Sequence, residues 1–165
     1  MSKLIILRGN SGSGKTTIAK ELQKHFGRNT MLISQDVIRR DMLWVKDGES
    51  TEAIPLMKEL LAYGIKHSDI VILEGIMYAD WYKPLFELAI RLYGTEVYAY
   101  YFDLPFEETL KRHQTKPNCN EFGEEAMRSW WREKDFSDVL RERIITSEKE
   151  IPDIVTEICR DINLT

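Results

Sequence analysis

Short apolar runs alternate along this chain with longer stretches in which apolar positions recur every three or four residues. Leu4-Ile5-Ile6-Leu7, Met31-Leu32-Ile33-Ser34, Asp69 to Gly75, Glu96 to Asp103 and Arg143-Ile144-Ile145-Thr146 read as five strands. The third is a near-continuous run of β-branched and leucine residues, the pattern of a strand covered by helices on both faces. Between them fall helical patterns. One follows Thr16 and stops near Phe26-Gly27, with glycine at its end. A second runs from Gln35 to Trp44, with Ser34 or Asp36 as its cap and Val37, Ile38, Met42 and Leu43 as its apolar side. A third spans about Thr51 to His67, with Pro55 in its first turn and Ile54, Met57, Leu60 and Leu61 for burial.

Trp81 to Tyr93 is again amphipathic and closes at Gly94. Leu104-Pro105-Phe106-Glu107-Glu108 opens a helix with proline and two acids in its first turn. Thr115 to Gly123 is the least apolar passage, and Lys116 to Asn120 reads as an exposed loop. Helical pattern resumes over Glu124 to Glu133, and Ile151-Pro152-Asp153 opens a last helix through Ile154, Val155, Ile158 and Ile162. Strands alternating with helices imply an α/β fold, a parallel sheet between two helical layers with right-handed crossovers. No repeat or interdomain linker is visible, so 1–165 reads as one domain of a size that supports a real core.

Ligands in such folds sit beyond the carboxyl ends of the strands. The ends here are Gly9 to Thr16, Gln35 and Asp36, Glu74 and Gly75, and Asp103. The first carries the chemistry. Gly9-Asn10-Ser11-Gly12-Ser13-Gly14-Lys15-Thr16 has the phosphate-binding P-loop spacing, followed by Thr17 on the helix. Glycines bring successive backbone N–H groups toward phosphate oxygens, and the helix N-terminus adds partial positive charge. Lys15 can then reach the β and γ phosphates, and the Thr16 hydroxyl can ligate Mg²⁺.

Asp36 and Arg39 follow the second strand. Asp36 can orient an acceptor hydroxyl and take its proton, and Arg39 can hold an anionic group or the moving phosphoryl. The competing reading is a capping aspartate and a solvated arginine. Glu74 can contact a metal-bound water or the acceptor, or simply be satisfied by nearby backbone N–H groups. Phosphoryl transfer must exclude water, which marks the segment from about 113 to 134 as a closing lid. Arg112, which immediately precedes it, is the first choice for a phosphate contact; Arg128 and Arg132 can swing onto phosphates or form ion pairs with neighbours such as Glu124 and Glu125. Trp44, Tyr78, Trp81, Tyr82, Trp130 and Trp131 either line an acceptor pocket or belong to the core. The three histidines share no metal spacing.

Net charge is −4 and the isoelectric point near 5.5, which gives no general field for nucleic acid or anionic membranes but leaves room for a locally basic cleft. With Met1-Ser2-Lys3 leading directly into the first strand, no signal peptide is expected, and no run is long enough to span a bilayer. Cys119 and Cys159 lack metal or redox-motif spacing, as reduced thiols do. A cytoplasmic location is expected.

With these residues in place, the chain resembles the small P-loop kinases, a group that includes chloramphenicol phosphotransferase, the 5′-kinase domain of polynucleotide kinase, zeta-type toxins and adenylate-kinase-like enzymes. The matching pieces are the P-loop, Asp36-Val37-Ile38-Arg39, Ile72-Leu73-Glu74-Gly75, and Phe106 to His113 leading to the lid. A standard metal-site strand carries aspartate where this one has Glu74 followed by glycine. The resemblance implies a three-layer P-loop NTPase sandwich with a five-stranded sheet in the order 2-3-1-4-5 and a helical lid. It also implies ATP with Mg²⁺, Asp36 as the acceptor-activating base, Arg112 at the start of the lid, and an adenine site bordered by Thr146 and Ser147. The expected activity is transfer of the γ-phosphate to a hydroxyl of a small molecule such as a nucleoside, sugar or antibiotic-like compound. A 5′-hydroxyl polynucleotide kinase and a non-catalytic nucleotide-binding regulatory module are the alternatives; nucleic acid is possible but not favoured, and oligomeric state is open.

Overall fold

A computed structural model describes residues 1–115 and 121–163. Their elements, in chain order, are β1 (Lys3–Gly9), α1 (Lys15–Phe26), β2 (Thr30–Ser34), α2 (Gln35–Val37), α3 (Ala53–His67) and β3 (Ile70–Gly75). Then come α4 (Lys83–Tyr93), β4 (Val97–Phe102), α5 (Phe106–Gln114), α6 (Glu124–Trp130), β5 (Glu142–Ile145) and α7 (Ile151–Asn163). The expected loop at Lys116 to Asn120 lies outside the described residues.

All four strand pairings are parallel, and the order is β2-β3-β1-β4-β5, as expected. Alternate residues of β1 point to opposite faces. Ile5 and Leu7 pack with Ile18 and Leu22 of α1 and Ile154 and Ile158 of α7. Leu4 and Ile6 pack with Met57 and Leu61 of α3 and Leu85 and Phe86 of α4. Two cores on either side of one sheet make the three layers, and they explain why β1 is apolar at every position from Leu4 to Leu7. Cys159 is buried in the first of these cores, and burial pushes its thiol up.

The stretch after β2 departs from the expected helix. α2 is a single turn that continues as a π-helical turn over Ile38–Met42, in which Leu43 N donates to Ile38 O at 2.9 Å. Only Ile38 of the expected apolar side is buried; Val37, Met42 and Leu43 are exposed. The wider turn rotates the later residues away from the core. Neither Ser34 nor Asp36 caps the turn through its side chain. The helix expected to run to Glu133 ends at Trp130, where Trp131 turns extended.

Candidate active site

β1 delivers the P-loop to the carboxyl edge of the sheet, and α1 leaves from it at Lys15. Gly12 has φ +80, and a Cβ there would stand 2.5 Å from the Thr109 carbonyl oxygen, so only glycine lets α5 pack directly on the loop. α5 in turn brings Arg112, whose Nη1 donates to Ser13 O at 3.1 Å while Nε donates to Glu108 at 3.2 Å. Arg112 thus lies against the P-loop backbone.

Lys15 is buried, its ammonium donating to Asn10 O at 2.8 Å and Ser13 Oγ at 3.1 Å. The loop from Gly9 to Gly14 thus turns back onto the Lys15 ammonium through Asn10 and Ser13. Thr16 and Thr17 are exposed at the first turn of α1.

Thr16 faces Glu74. Its hydroxyl lies 3.2 Å from both Glu74 carboxylate oxygens, and Ser34 Oγ donates to Oε1 at 2.7 Å. Register explains the meeting: Ser34 and Glu74 are direct partners on adjacent strands, and Glu74 pairs with Leu7 two residues before the loop. Glu74 is 2 % exposed, and its described partners are hydroxyls rather than the backbone N–H groups of the competing reading. Gly75 follows because a Cβ there would stand 2.6 Å from Gln35 Cβ, where α2 crosses the strand end. The oxygen-only set of Thr16, Glu74 and Ser34 fits Mg²⁺, which keeps waters and phosphate oxygens and needs only one or two protein ligands.

Asp36 stands across this cleft with its side chain 59 % exposed, 3.2 Å from Arg39 Nη2 and 2.8 Å from Arg40 Nε. Spacings of three and four residues place both guanidinium groups beside one carboxylate. Arg39 also reaches Val45 O at 3.4 Å. Lys15, Thr16, Asp36, Arg39 and Glu74 all line one open cleft of about 600 Å³. Its far wall is aromatic, formed by Tyr78, Trp81, Phe122, Trp130 and Trp131 with Arg132. Arg132 lies 3.8 Å over the Tyr78 ring and bonds Asp80 at 2.6 Å, which holds that carboxyl below its usual range. Burial pushes the Tyr78 phenol up, and its hydroxyl donates to Trp130 O. Tyr82 belongs to the core, and Trp44 is 90 % exposed outside the cleft.

The segment that follows α6 is tied to the P-loop. The Asn10 amide donates to Arg132 O at 2.8 Å and accepts from Arg132 N at 3.0 Å, a two-point clasp between residues 122 apart. Arg128 pairs with Glu124 at 3.9 Å and lies over Phe106, away from the cleft. His113 is buried and contacts Phe122 O at 2.8 Å, so the expected lid begins inside α5.

Asp103 does not join the main cleft. It pairs with Lys134 and lines a separate hollow of about 530 Å³ with Pro105, Phe106 and Ser147. Thr146 is exposed one residue away, at the end of β5.

Arg8 escaped the sequence reading. It is fully buried at the end of β1, where its guanidinium donates to Glu142 at 2.8 and 3.0 Å, to Met77 O at 3.0 Å and to Asp135 at 3.2 Å. Asp135 also accepts from Ala79 N at 2.8 Å. Arg8 therefore pins the loop after β3 to the segment after α6, the two pieces that carry the aromatic wall. The signal was a charged residue inside an otherwise apolar strand, which a buried position tolerates only when paired.

A family model described as an AAA domain matches residues 4–134. A search of curated protein sequences finds no match. Among solved structures, a gluconokinase from Sinorhizobium meliloti 1021 superposes with a TM-score of 0.68 at 14 % identity, covering 98 % of this chain and 92 % of that one. The APS kinase of Mycobacterium tuberculosis, solved with AMPPNP and APS, gives 0.65 at 17 % over 99 % and 98 %. Shikimate kinase from Acinetobacter baumannii, solved with shikimate, gives 0.62 at 16 % over 99 % and 94 %. At such identities the likeness establishes the fold, that of the small P-loop kinases. The family match spans most of the sequence, and the chain belongs to the AAA domain family.

Proposed function

We propose that this protein is an ATP- and Mg²⁺-dependent kinase that transfers the γ-phosphate to a hydroxyl of a small-molecule acceptor. One observation carries the reading: the P-loop lysine and threonine share a single cleft with Asp36, a carboxylate that lies outside the P-loop and Glu74 hydroxyl cluster. Similarity to a gluconokinase, a shikimate kinase and an APS kinase supports small hydroxyl-bearing acceptors. In this reading the P-loop from Gly9 to Thr16 holds the triphosphate, and Thr16 and Glu74 hold Mg²⁺. Arg112 neutralises charge at the phosphates, and the hollow beside Ser147 receives the adenine.

In the reaction, the acceptor oxygen forms a bond to the γ-phosphorus while the bond from that phosphorus to the β–γ bridging oxygen breaks. ADP leaves, and the hydroxyl proton passes to the Asp36 carboxylate. Mg²⁺ bound at Thr16 and Glu74 would neutralise charge on the phosphate oxygens. Lys15 and Arg112 supply the fixed positive charge, Arg39 keeps Asp36 in place, and the aromatic wall keeps water from competing with the acceptor. A regulatory module that only senses ATP has no use for a second half of the cleft. The test is a transfer screen with labelled ATP against sugars, nucleosides, antibiotics and hydroxy acids. Label moving to one acceptor class, and lost with Lys15→Ala, is the expected result; nucleotide binding without transfer to any acceptor overturns the proposal.

A further inference from the structure

Charge on the acceptor side is the reverse of that on the whole molecule. Beyond the P-loop, the cleft is lined by four cations, Arg39, Arg40, Lys46 and Arg132, against three carboxylates, Asp36, Asp47 and Glu74, the last of them held by the Thr16 and Ser34 hydroxyls. The chain as a whole is at −4. Asp36 is already matched by both arginines, and Asp47 accepts from Tyr82 Oη at 2.6 Å and from Gly48 N at 3.0 Å. Among the described residues no carboxylate pairs with Lys46.

Three of these four cations, Arg39, Arg40 and Lys46, also line an adjoining hollow of about 660 Å³, which they share with Trp44 and Val45. Trp44 is 90 % exposed and has φ +53, a left-handed conformation rare for a bulky residue. The π-helical turn before it sets this geometry, since Val45 N donates back to Arg39 O at 2.9 Å. A cationic strip is thus bounded by aromatic surface on both sides: Tyr78, Trp81 and Trp131 within the cleft, and Trp44 outside it.

Resting on the kinase reading above, we infer that the acceptor is a nucleoside phosphate. Its hydroxyl meets Asp36, its phosphoester lies on Arg39, Arg40 and Lys46, and its base lies against exposed aromatic surface. Guanidinium groups match phosphate oxygens in a fork, and flat bases stack on indole and phenol faces. The transfer remains balanced as before: the free hydroxyl oxygen binds the γ-phosphorus, ADP leaves, and the proton goes to Asp36. The phosphate already present is untouched and serves only as an anionic handle. Such an acceptor comes either as a free mononucleotide, which needs one aromatic face, or as the 5′-hydroxyl end of a strand, which uses both.

The experiment compares phosphorylation, with ATP and Mg²⁺, of a nucleoside, its 3′-monophosphate, a 5′-hydroxyl dodecanucleotide, and a panel of gluconate, shikimate and hexoses. The expected result is a kcat/KM at least about tenfold higher for a phosphate-bearing nucleoside than for the nucleoside itself. Arg40→Gln should erase most of that ratio while the KM for ATP and the thermal shift with ATP stay at wild-type values. Transfer to the monophosphate identifies a free nucleotide as the source. Transfer confined to the dodecanucleotide, with its KM raised by Trp44→Ala, identifies a strand end. Equal use of nucleoside and monophosphate, or transfer only to gluconate, shikimate or a hexose, overturns the inference and leaves the kinase reading intact. Transfer to none of the acceptors overturns both.

Discussion

The kinase reading proposed above gives the carboxylates of Asp36 and Glu74 different tasks, and their surroundings separate them. Asp36 is exposed and flanked by two guanidinium groups, so it is open to an acceptor; Glu74 is buried and surrounded by the Thr16 and Ser34 hydroxyls. Replacing Asp36 by Asn should lower kcat by about 10²–10⁴-fold, the usual contribution of a positioned base, with ATP affinity unchanged in a binding titration. Glu74→Gln should instead raise the Mg²⁺ concentration needed for half-maximal rate, by about 10–100-fold on the scale seen when metal-site carboxylates are altered. A parallel loss of ATP affinity without Mg²⁺ would show that Glu74 only holds the loop together. Of these residues, the P-loop, Asp36 and Glu74 stand out in the sequence because each lies at the end of an apolar run. Arg8 shows only as a charge in an apolar strand; its partners Met77, Asp135 and Glu142 lie 69 to 134 positions away, where no local pattern points.

At the level of elements, the segment between α6 and β5 has little regular structure and is held by side-chain bonds to the P-loop and to β1. Asn10→Ala removes both bonds of the clasp to Arg132, so amide hydrogen exchange over residues 124–135 should rise, and the acceptor KM should rise more than the KM for ATP. Equal effects on both constants would mean that Asn10 serves the phosphate cradle alone. Arg8→Met leaves the buried Glu142 carboxylate and the half-buried Asp135 without their cation; a loss of about 3–5 kcal/mol is expected, seen calorimetrically as a fall in Tm of roughly 10 °C. The five strands, their parallel order and the helices that cover them were readable from periodicity because one sheet buries both faces. The π-helical turn after β2 was not: its spacing of apolar residues matches an α-helix, and no local pattern marks the wider turn. Trp130 and Trp131 were equally ambiguous, since the same composition suits a core helix or a cleft wall, and a backbone that turns extended at Trp131 decides it.

On the scale of the whole molecule, the sheet has one chemical edge. Its carboxyl ends present Lys15, Thr16, Asp36 and Glu74 to a common cleft, while the described helices include none long and apolar enough to cross a membrane. Because the P-loop joins β1 to α1 and touches α5 and the segment after α6, occupancy by nucleotide should stabilise the entire fold. ATP at about 100 times its Kd should add about 2.7 kcal/mol, a Tm rise of roughly 5–10 °C that Lys15→Ala abolishes. The central claim is that this cleft moves phosphate rather than only binding ATP. It is tested most directly by following labelled γ-phosphate from ATP onto the acceptor pools with wild-type protein, Lys15→Ala and Asp36→Asn side by side. The account predicts label on an acceptor with the wild type, no nucleotide binding with Lys15→Ala, and nucleotide binding without transfer for Asp36→Asn. Transfer by Asp36→Asn at the wild-type rate, or tight ATP binding by the wild type with no acceptor labelled, would contradict it.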